Sequence, residues 1–194
     1  VCSELREYLE GCTSVDIGRL RTQVSHSLIL DKWSDEYWNK LSKTITLLDI
    51  KPAPCVVDLH NTIAEVIKKY IGSKIIIVNT RAWITQPNLN QFGPNSEHMD
   101  GFPPGHWKVM VYLSPLSEEY GGTEIGGIEF LEHQSGTVII FRNSDIPHRG
   151  IPGTKFPRLA IEITLARGFM NIPQFHSGMP NGRNFRTPFR PYVR

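Results

Sequence analysis

The chain has 194 residues, of which 40% are hydrophobic, and a formal net charge of +2 at pH 7. This length and apolar content predict one well-buried core rather than two domains, and the balanced charge carries no strong nucleic-acid signal. Because the sequence has no run of eighteen apolar residues, no basic-then-apolar leader and only three cysteines without a Cys-x-x-Cys pair, we expect no membrane span and a reducing, intracellular (cytoplasmic) setting.

The first part of the chain, residues 1–73, has mainly helical periodicity. One helix is predicted over 35–48, because apolar residues recur there at helical spacing and Ser34-Asp35 can cap the first turn. A second helix is predicted over about 57–70. Gly72 is a natural stop for it.

From residue 74 onward the apolar pattern shortens to runs typical of β-strands, separated by clusters of glycine, proline and asparagine. We predict strands over 75–78, 107–113, 128–131, 137–141 and 159–165. Gly121-Gly122 and Gly126-Gly127 are assigned to a glycine-rich turn. Many short strands with turn signals between them indicate a sandwich or barrel.

Helices first and strands afterwards predict an α+β protein, in which the helices support one sheet of a double-stranded β-helix, a jelly-roll or cupin-like barrel. We expect a single domain over 1–194, with helical support over 1–73, the barrel over 74–166 and an irregular basic tail over 167–194. The tail contains no acidic residue and five arginines. It could hold an anionic partner or wrap on the barrel as a solvated segment.

The last predicted strand has two different faces, because alternate residues of a strand point to opposite sides. One face is aliphatic and is expected to pack between the sheet and the helices. The other face carries Arg158, Ala160, Glu162 and Thr164. If Arg158 points into the barrel, the small Ala160 leaves room beside it.

The sequence also contains a candidate metal site. His98 and Asp100 are two residues apart, so both side chains can point to the same side of an extended segment. With His148 as a third ligand they would form the two-histidine, one-carboxylate facial set of non-haem Fe(II) oxygenases, which leaves open positions on the metal. Each residue also has a structural alternative: a loop-stabilising Asp–His pair, a solvent-facing histidine and, for Arg158, an ion pair with Glu129, Glu132 or Glu162.

These residues resemble the Fe(II)/2-oxoglutarate-dependent dioxygenase superfamily over about 75–166. Within it, the motif His98-Met99-Asp100-Gly101 is similar to that of the phytanoyl-CoA dioxygenase-like branch. The family pattern is a His-x-Asp motif, a distal histidine and an arginine about ten residues further on. Carried over, His98, Asp100 and His148 are the metal ligands, and Arg158 binds the tail of 2-oxoglutarate. One departure is Ala160, where members with this arginine often have a serine.

The resemblance implies Fe(II), 2-oxoglutarate and O2 as cofactors and co-substrates, and hydroxylation of a C–H bond in an organic substrate that the sequence does not identify. Tyr112 and Asn79 are further candidates for contact with the keto acid, although Tyr112 could be a core aromatic and Asn79 could lie on an exposed strand face. The rival function is a cupin-like protein that binds a metal or small ligand without oxidative turnover. A third possibility is an interaction domain that uses the arginine-rich tail.

Overall fold

The computed structural model describes residues 2–15, 35–71, 75–88, 92–100 and 105–167. In chain order, these residues form the helices α1 (Cys2–Glu10) and α2 (Asp35–Thr44), strand β1 (Ile45–Leu48), helix α3 (Pro54–Ile71), strand β2 (Ile75–Thr85), a 3-10 turn (Gly93–Asn95), and strands β3 (His106–Tyr112), β4 (Gly121–Ile125), β5 (Ile128–Phe130), β6 (Val138–Phe141), β7 (His148–Pro152) and β8 (Arg158–Arg167). No helix among them combines the length and the hydropathy needed to cross a bilayer.

The strands form two antiparallel sheets. The larger sheet has the order β1-β2-β8-β3-β6, and the smaller sheet has the order β5-β4-β7. Most neighbours are distant in sequence, such as β2 with β8 and β4 with β7, whereas β4 and β5 form a hairpin; this mixture is found in jelly rolls. The predicted α+β double-stranded β-helix is confirmed.

The two faces of β8 separate two hydrophobic clusters. Leu159, Ile161, Ile163 and Leu165 pack with α1 and α3 in one cluster, whereas Ala160 belongs to a second cluster inside the barrel with Met110, Tyr112 and Phe141. Arg158 and Glu162 are also buried. The helices therefore cover the outer face of the larger sheet, as expected, and its inner face is left for the barrel interior.

Helix α3 follows its sequence pattern closely. The buried residues recur every three or four positions, which puts them on one side of a helix: Val56, Leu59, His60, Ile63, Ala64 and Ile67. The helix begins three residues before the predicted start, at Pro54, because proline is well tolerated in the first turn, where its missing N–H would have no helical partner.

Two boundary predictions were wrong. The helix predicted through residue 48 ends at Thr44, and residues 45–48 form an edge strand paired with 82–85 of β2. These four residues are aliphatic or β-branched, so pairing with an existing sheet edge overrides their helical spacing. The segment at Gly121-Gly122 is the start of strand β4 rather than a turn, since both glycines pair with β7 and the rest of β4 pairs with β5 as well.

Some sequence predictions lie outside the described residues. These are the cap at Ser34, the stop at Gly72 and the tail beyond residue 167. The single-domain assignment over 1–194 stays a prediction.

His60 gives the fold a predictable acid sensitivity. Its side chain is buried and its Nε2 lies 2.9 Å from the hydroxyl oxygen of Thr80, and burial lowers its pKa from 6.5 to about 4. Between pH 6.5 and pH 4 the imidazole of His60 binds a proton more readily in the unfolded chain than in the folded one. The stabilisation that the buried neutral imidazole provides is therefore complete above pH 6.5 and is lost as the pH falls towards 4.

We therefore expect the free energy of unfolding to depend less on pH between 6.5 and 4 in a His60→Gln variant, by up to about 3 kcal/mol over that window. Urea denaturation of metal-free protein at several pH values measures this difference. His133→Gln, at an exposed histidine, is the control and should leave the pH dependence unchanged. An identical pH profile for His60→Gln and the wild type would contradict the assignment.

Candidate metal and co-substrate site

A short antiparallel bridge brings His98 and His148 together across fifty residues of sequence. The backbone N–H of His98 donates to the carbonyl of His148 at 3.0 Å, and the reverse hydrogen bond is 2.9 Å. Directly opposed residues of an antiparallel pair project their side chains to the same side. The two imidazole centroids are consequently 4.4 Å apart.

Asp100 completes a group of three possible metal ligands. One ligand atom from each of His98, Asp100 and His148 lies within 4.8 Å of the others. The Nε2 atoms of the two histidines are 3.7 and 3.8 Å from Oδ1 of Asp100, which is too long for hydrogen bonds. Two imidazoles and one carboxylate are the donor set of a non-haem ferrous site, and the residues therefore fit the ion.

The orientation of both imidazoles suits metal binding. Nδ1 of His98 lies 2.8 Å from the carbonyl oxygen of Ser96, and Nδ1 of His148 lies 3.0 Å from that of Ile146. A proton on Nδ1 can donate to each carbonyl, which leaves the Nε2 lone pair directed towards Asp100. Burial, with a contribution from the charge of Lys108, lowers the pKa of His148 to about 4, so this ligand is neutral at pH 7.

Asp100 is held through the oxygen that faces away from the histidines. Its Oδ2 accepts hydrogen bonds from Asn143 at 2.8 Å and from Lys108 at 2.6 Å, and its backbone N–H donates to the carbonyl of Asn143 at 3.0 Å. Burial alone would raise the pKa of Asp100, but Lys108 and Asn143 together hold it below the ordinary value. The carboxylate is ionised at neutral pH, with Oδ1 turned to the imidazoles.

A row of charged side chains continues from Asp100 across the inner face of the larger sheet. The ammonium of Lys108 lies 3.1 Å from Glu162, whose other oxygen accepts from Arg81 at 2.5 Å. Strand register explains the row, because Arg81 lies opposite Glu162 on β2 and Lys108 lies on β3 two residues from Met110, the residue opposite Glu162. A separation of two residues keeps Lys108 on the same face of the sheet as Met110. Glu162 is 2% exposed; burial would raise its pKa, and the two cations lower it.

Arg158 lies in the barrel without a carboxylate partner among the described residues. Its Nη1 donates to the carbonyl of Gly122 and, at 3.0 Å, to that of Ile151, and its guanidinium lies 5.7 Å from the ring centroid of Tyr112. Burial lowers its pKa, with the coulombic effect of Tyr112 opposing the shift. The alternative pairing of Arg158 with Glu162 is wrong, since Glu162 contacts Arg81 and Lys108.

The space around Arg158 depends on a glycine. A Cβ atom at Gly150 would lie 2.6 Å from Oδ1 of Asn95 and 3.4 Å from Nη2 of Arg158. The Nδ2 of Asn95 and the Nε of Arg158 are buried and have no hydrogen-bond partner within the described part of the chain. Tyr112 is close by, since its ring lies 5.7 Å from the guanidinium. Several side-chain donors therefore lie near one another in a buried region where the described part of the chain places no carboxylate beside Arg158.

Asn79 lies elsewhere in the barrel. It is buried opposite Thr164, whereas Arg158 lies opposite Thr85, six residues further along β2. Six residues of strand span about 20 Å. Asn79 is thus on an inner, buried face and is not brought together with Arg158 and Tyr112, which leaves its contact with a keto acid a prediction.

Four residues around the site were given no role in it from the sequence: Lys108, Glu162, Asn143 and Asn95. Glu162 carried a usable signal, because a charged residue on a strand with an aliphatic opposite face must have a partner when that strand is buried. Asn143 and Asn95 carried none, since both come from irregular segments whose positions depend on the fold.

Comparisons with known proteins identify the class of fold. No protein-family profile matches the chain, and no curated protein is similar to it in sequence. Among solved structures, HygX from Streptomyces hygroscopicus, determined with nickel, 2-oxoglutarate and hygromycin B, is similar with a TM-score of 0.54 and 13% identity over 87% of this chain and 79% of that one.

Two further structures are more weakly similar. A Pseudomonas putida prolyl-4-hydroxylase has a TM-score of 0.46 and 13% identity, covering 83% of this chain and 96% of that one. The plu4264 protein from Photorhabdus luminescens has a TM-score of 0.32 and 13% identity, and the match covers 44% of this chain and 59%, less than two thirds, of that protein. At these identities the similarity establishes the double-stranded β-helix class alone.

Proposed function

We propose that the protein is an Fe(II)- and 2-oxoglutarate-dependent dioxygenase that hydroxylates a C–H bond of an organic substrate. In the balanced reaction, 2-oxoglutarate, O2 and R–H give succinate, CO2 and R–OH, so one oxygen atom enters succinate and the other enters the product. The observation that carries this proposal is the buried guanidinium of Arg158, which has no carboxylate partner among the described residues and lies in the same barrel as the His98, Asp100 and His148 group.

The three ligands would hold ferrous iron on one face and leave positions for the co-substrate and dioxygen. When bound, the iron would supply the chemistry by which dioxygen is reduced while the keto acid is oxidised to succinate and CO2. Hydrogen bonds from Nδ1 to the carbonyls of Ser96 and Ile146 keep both Nε2 atoms unprotonated, so that each has a lone pair for the ion. Lys108 and Asn143 hold Asp100 so that one oxygen faces the ion.

Arg158 would anchor the distal carboxylate of 2-oxoglutarate. An isolated buried charge costs several kcal/mol unless an opposite charge is brought to it, and a carboxylate can accept two hydrogen bonds from a guanidinium. Two guanidinium nitrogens remain for such a ligand, because Nη1 is already bonded to the carbonyls of Gly122 and Ile151. Tyr112 and the unpartnered amide of Asn95 are further donors in reach of that region.

Finer features of the proposal rest on the sequence. The motif His98-Met99-Asp100-Gly101 supports the phytanoyl-CoA dioxygenase-like branch. The arginines of the basic tail over 167–194 support a substrate that carries a carboxylate or phosphate group. Three free cysteines, Cys2, Cys12 and Cys55, support a reducing, cytoplasmic setting.

The test is co-substrate binding followed by turnover. Anaerobic addition of Fe(II) and then 2-oxoglutarate should produce a weak visible charge-transfer band, and admission of O2 should release succinate even without the true substrate. His98→Ala should abolish both signals, whereas His133→Gln, at an exposed histidine outside the site, should not. Metal binding without the band and without succinate would instead support the cupin-like binding protein.

A further inference from the structure

The ammonium of Lys108 lies unusually close to the candidate metal position. Its Nζ is 2.6 Å from Oδ2 of Asp100 and 3.2 Å from Nε2 of His148, so it contacts two of the three proposed ligands. A positive charge at this distance repels a divalent cation, and the repulsion is strong because Lys108 is almost completely buried. Some other group must offset this charge if the site is to bind a metal.

Glu162 is in position to offset it. Its Oε2 lies 3.1 Å from Nζ of Lys108 and its Oε1 lies 2.5 Å from Arg81. Asp100 and Glu162 together balance Lys108 and Arg81, so this group of four side chains has no net charge. Arg81 is 32% exposed and is partly solvated, whereas Glu162 and Lys108 are 2% and 7% exposed.

We propose that Glu162 is a positioning residue of the metal site: it retains and neutralises Lys108, so that Lys108 can hold Asp100 without excluding the ion. The inference rests on the proposed function, because it takes His98, Asp100 and His148 as the metal ligands. Glu162 itself contacts no proposed ligand and acts through Lys108.

Hydrogen-bond counting shows how the arrangement changes when a metal binds. An ammonium has three donors, and Lys108 has three acceptors within reach, on Asp100, Glu162 and His148. A metal takes the Nε2 lone pair of His148, so Lys108 must give up that contact. Its bonds to Asp100 and Glu162 are compatible with the metal, because Oδ2 of Asp100 is not the oxygen that faces the imidazoles.

The experiment measures metal binding alone, by calorimetric titration of the purified full-length chain with Ni(II). Glu162→Gln keeps the shape and removes the charge, and we expect it to weaken Ni(II) binding about 10- to 100-fold, as losses around the ligands of metal sites do. The double variant Glu162→Gln/Lys108→Met removes the opposing charge as well. It should recover most of the lost affinity, which a simple loss of folding would not allow.

The matched control is Glu124→Gln. Glu124 also forms a partly buried ion pair with an arginine, at 2.8 and 2.6 Å from Arg149, but has no contact with Lys108. It should bind Ni(II) like the wild type. The absorption spectrum of the Co(II)-loaded forms reports the coordination directly and should change in Glu162→Gln and not in Glu124→Gln.

Three results would overturn the inference. Wild-type affinity in Glu162→Gln overturns it alone and leaves the proposed function intact. The same applies if the double variant binds no more tightly than Glu162→Gln. A wild-type chain that binds no Ni(II), or binds it equally well after His98→Ala, overturns the proposed function and this inference together.

Discussion

Replacing Arg158 with leucine is expected to weaken binding of 2-oxoglutarate by at least an order of magnitude while leaving metal binding intact. Removing one partner of a buried, hydrogen-bonded charge pair typically costs about 2–5 kcal/mol, which corresponds to a roughly 30- to 5,000-fold loss of affinity. Titration of 2-oxoglutarate into Ni(II)-loaded protein measures this loss. Binding within threefold of the wild type would show that the keto acid does not use Arg158.

The same variant separates a binding role from a structural role. In the free protein Arg158 has no carboxylate partner among the described residues, and its charge-assisted hydrogen bonds to the carbonyls of Gly122 and Ile151 contribute about 1.5–3 kcal/mol each. Replacing the guanidinium with an apolar side chain also removes the free-energy cost of burying its charge, and this gain opposes the loss of the two hydrogen bonds. We therefore expect the free energy of unfolding of Arg158→Leu to lie within about 2 kcal/mol of that of the wild type.

Arg149→Leu is the comparison for stability. It leaves the paired carboxylate of Glu124 without its two hydrogen bonds, so it should be destabilising without affecting 2-oxoglutarate. If Arg158→Leu proves the more destabilising of the two and still binds the keto acid, Arg158 is a structural residue.

The second large effect is expected from Asp100→Asn, which keeps the size of the side chain and removes its charge. Loss of an outer hydrogen-bond partner reduces metal affinity about 10- to 100-fold, and loss of a charged ligand should exceed that. We expect Ni(II) binding to fall below detection by calorimetry, together with loss of succinate formation with Fe(II). The neutral side chain also leaves Lys108 with one carboxylate partner among the described residues, Glu162, which further opposes a cation.

Asp58→Asn, at an exposed position of α3 away from the barrel, is the control for Asp100→Asn. It should retain wild-type metal affinity and turnover. Retained metal binding in Asp100→Asn would mean that the carboxylate is not a ligand and that the group of three residues has another role.

Much of the fold could be predicted from local patterns. The apolar stripe of α3 and the alternation along β8 are periodic signals, and both were interpreted correctly because burial on one side imposes a repeat on the sequence. The failures have a common cause. Residues 45–48 and the glycines at 121 and 122 form strands only because another strand edge is available to pair with them.

Gly122 shows why the turn predicted from two adjacent glycines was wrong. Glycine usually marks a turn, but here a Cβ would lie 2.4 Å from the carbonyl oxygen of Phe130. The residue is needed for close approach of two strands. Its carbonyl also accepts a hydrogen bond from Arg158, so the missing side chain matters to the site as well as to the sheet.

The sequence by itself predicted that His98 and Asp100 act together as ligands, since a two-residue spacing puts both side chains on one side of an extended segment. His148 was added from the donor set of a facial iron site, and its role and that of Arg158 were also implied by the family resemblance. Only the tertiary structure brought His148 against His98 and separated Arg158 from Glu162. It also placed Lys108 between Asp100 and Glu162. The physical reason is that these contacts depend on the register of strands distant in sequence, and a shift of one residue would turn each side chain to the opposite face.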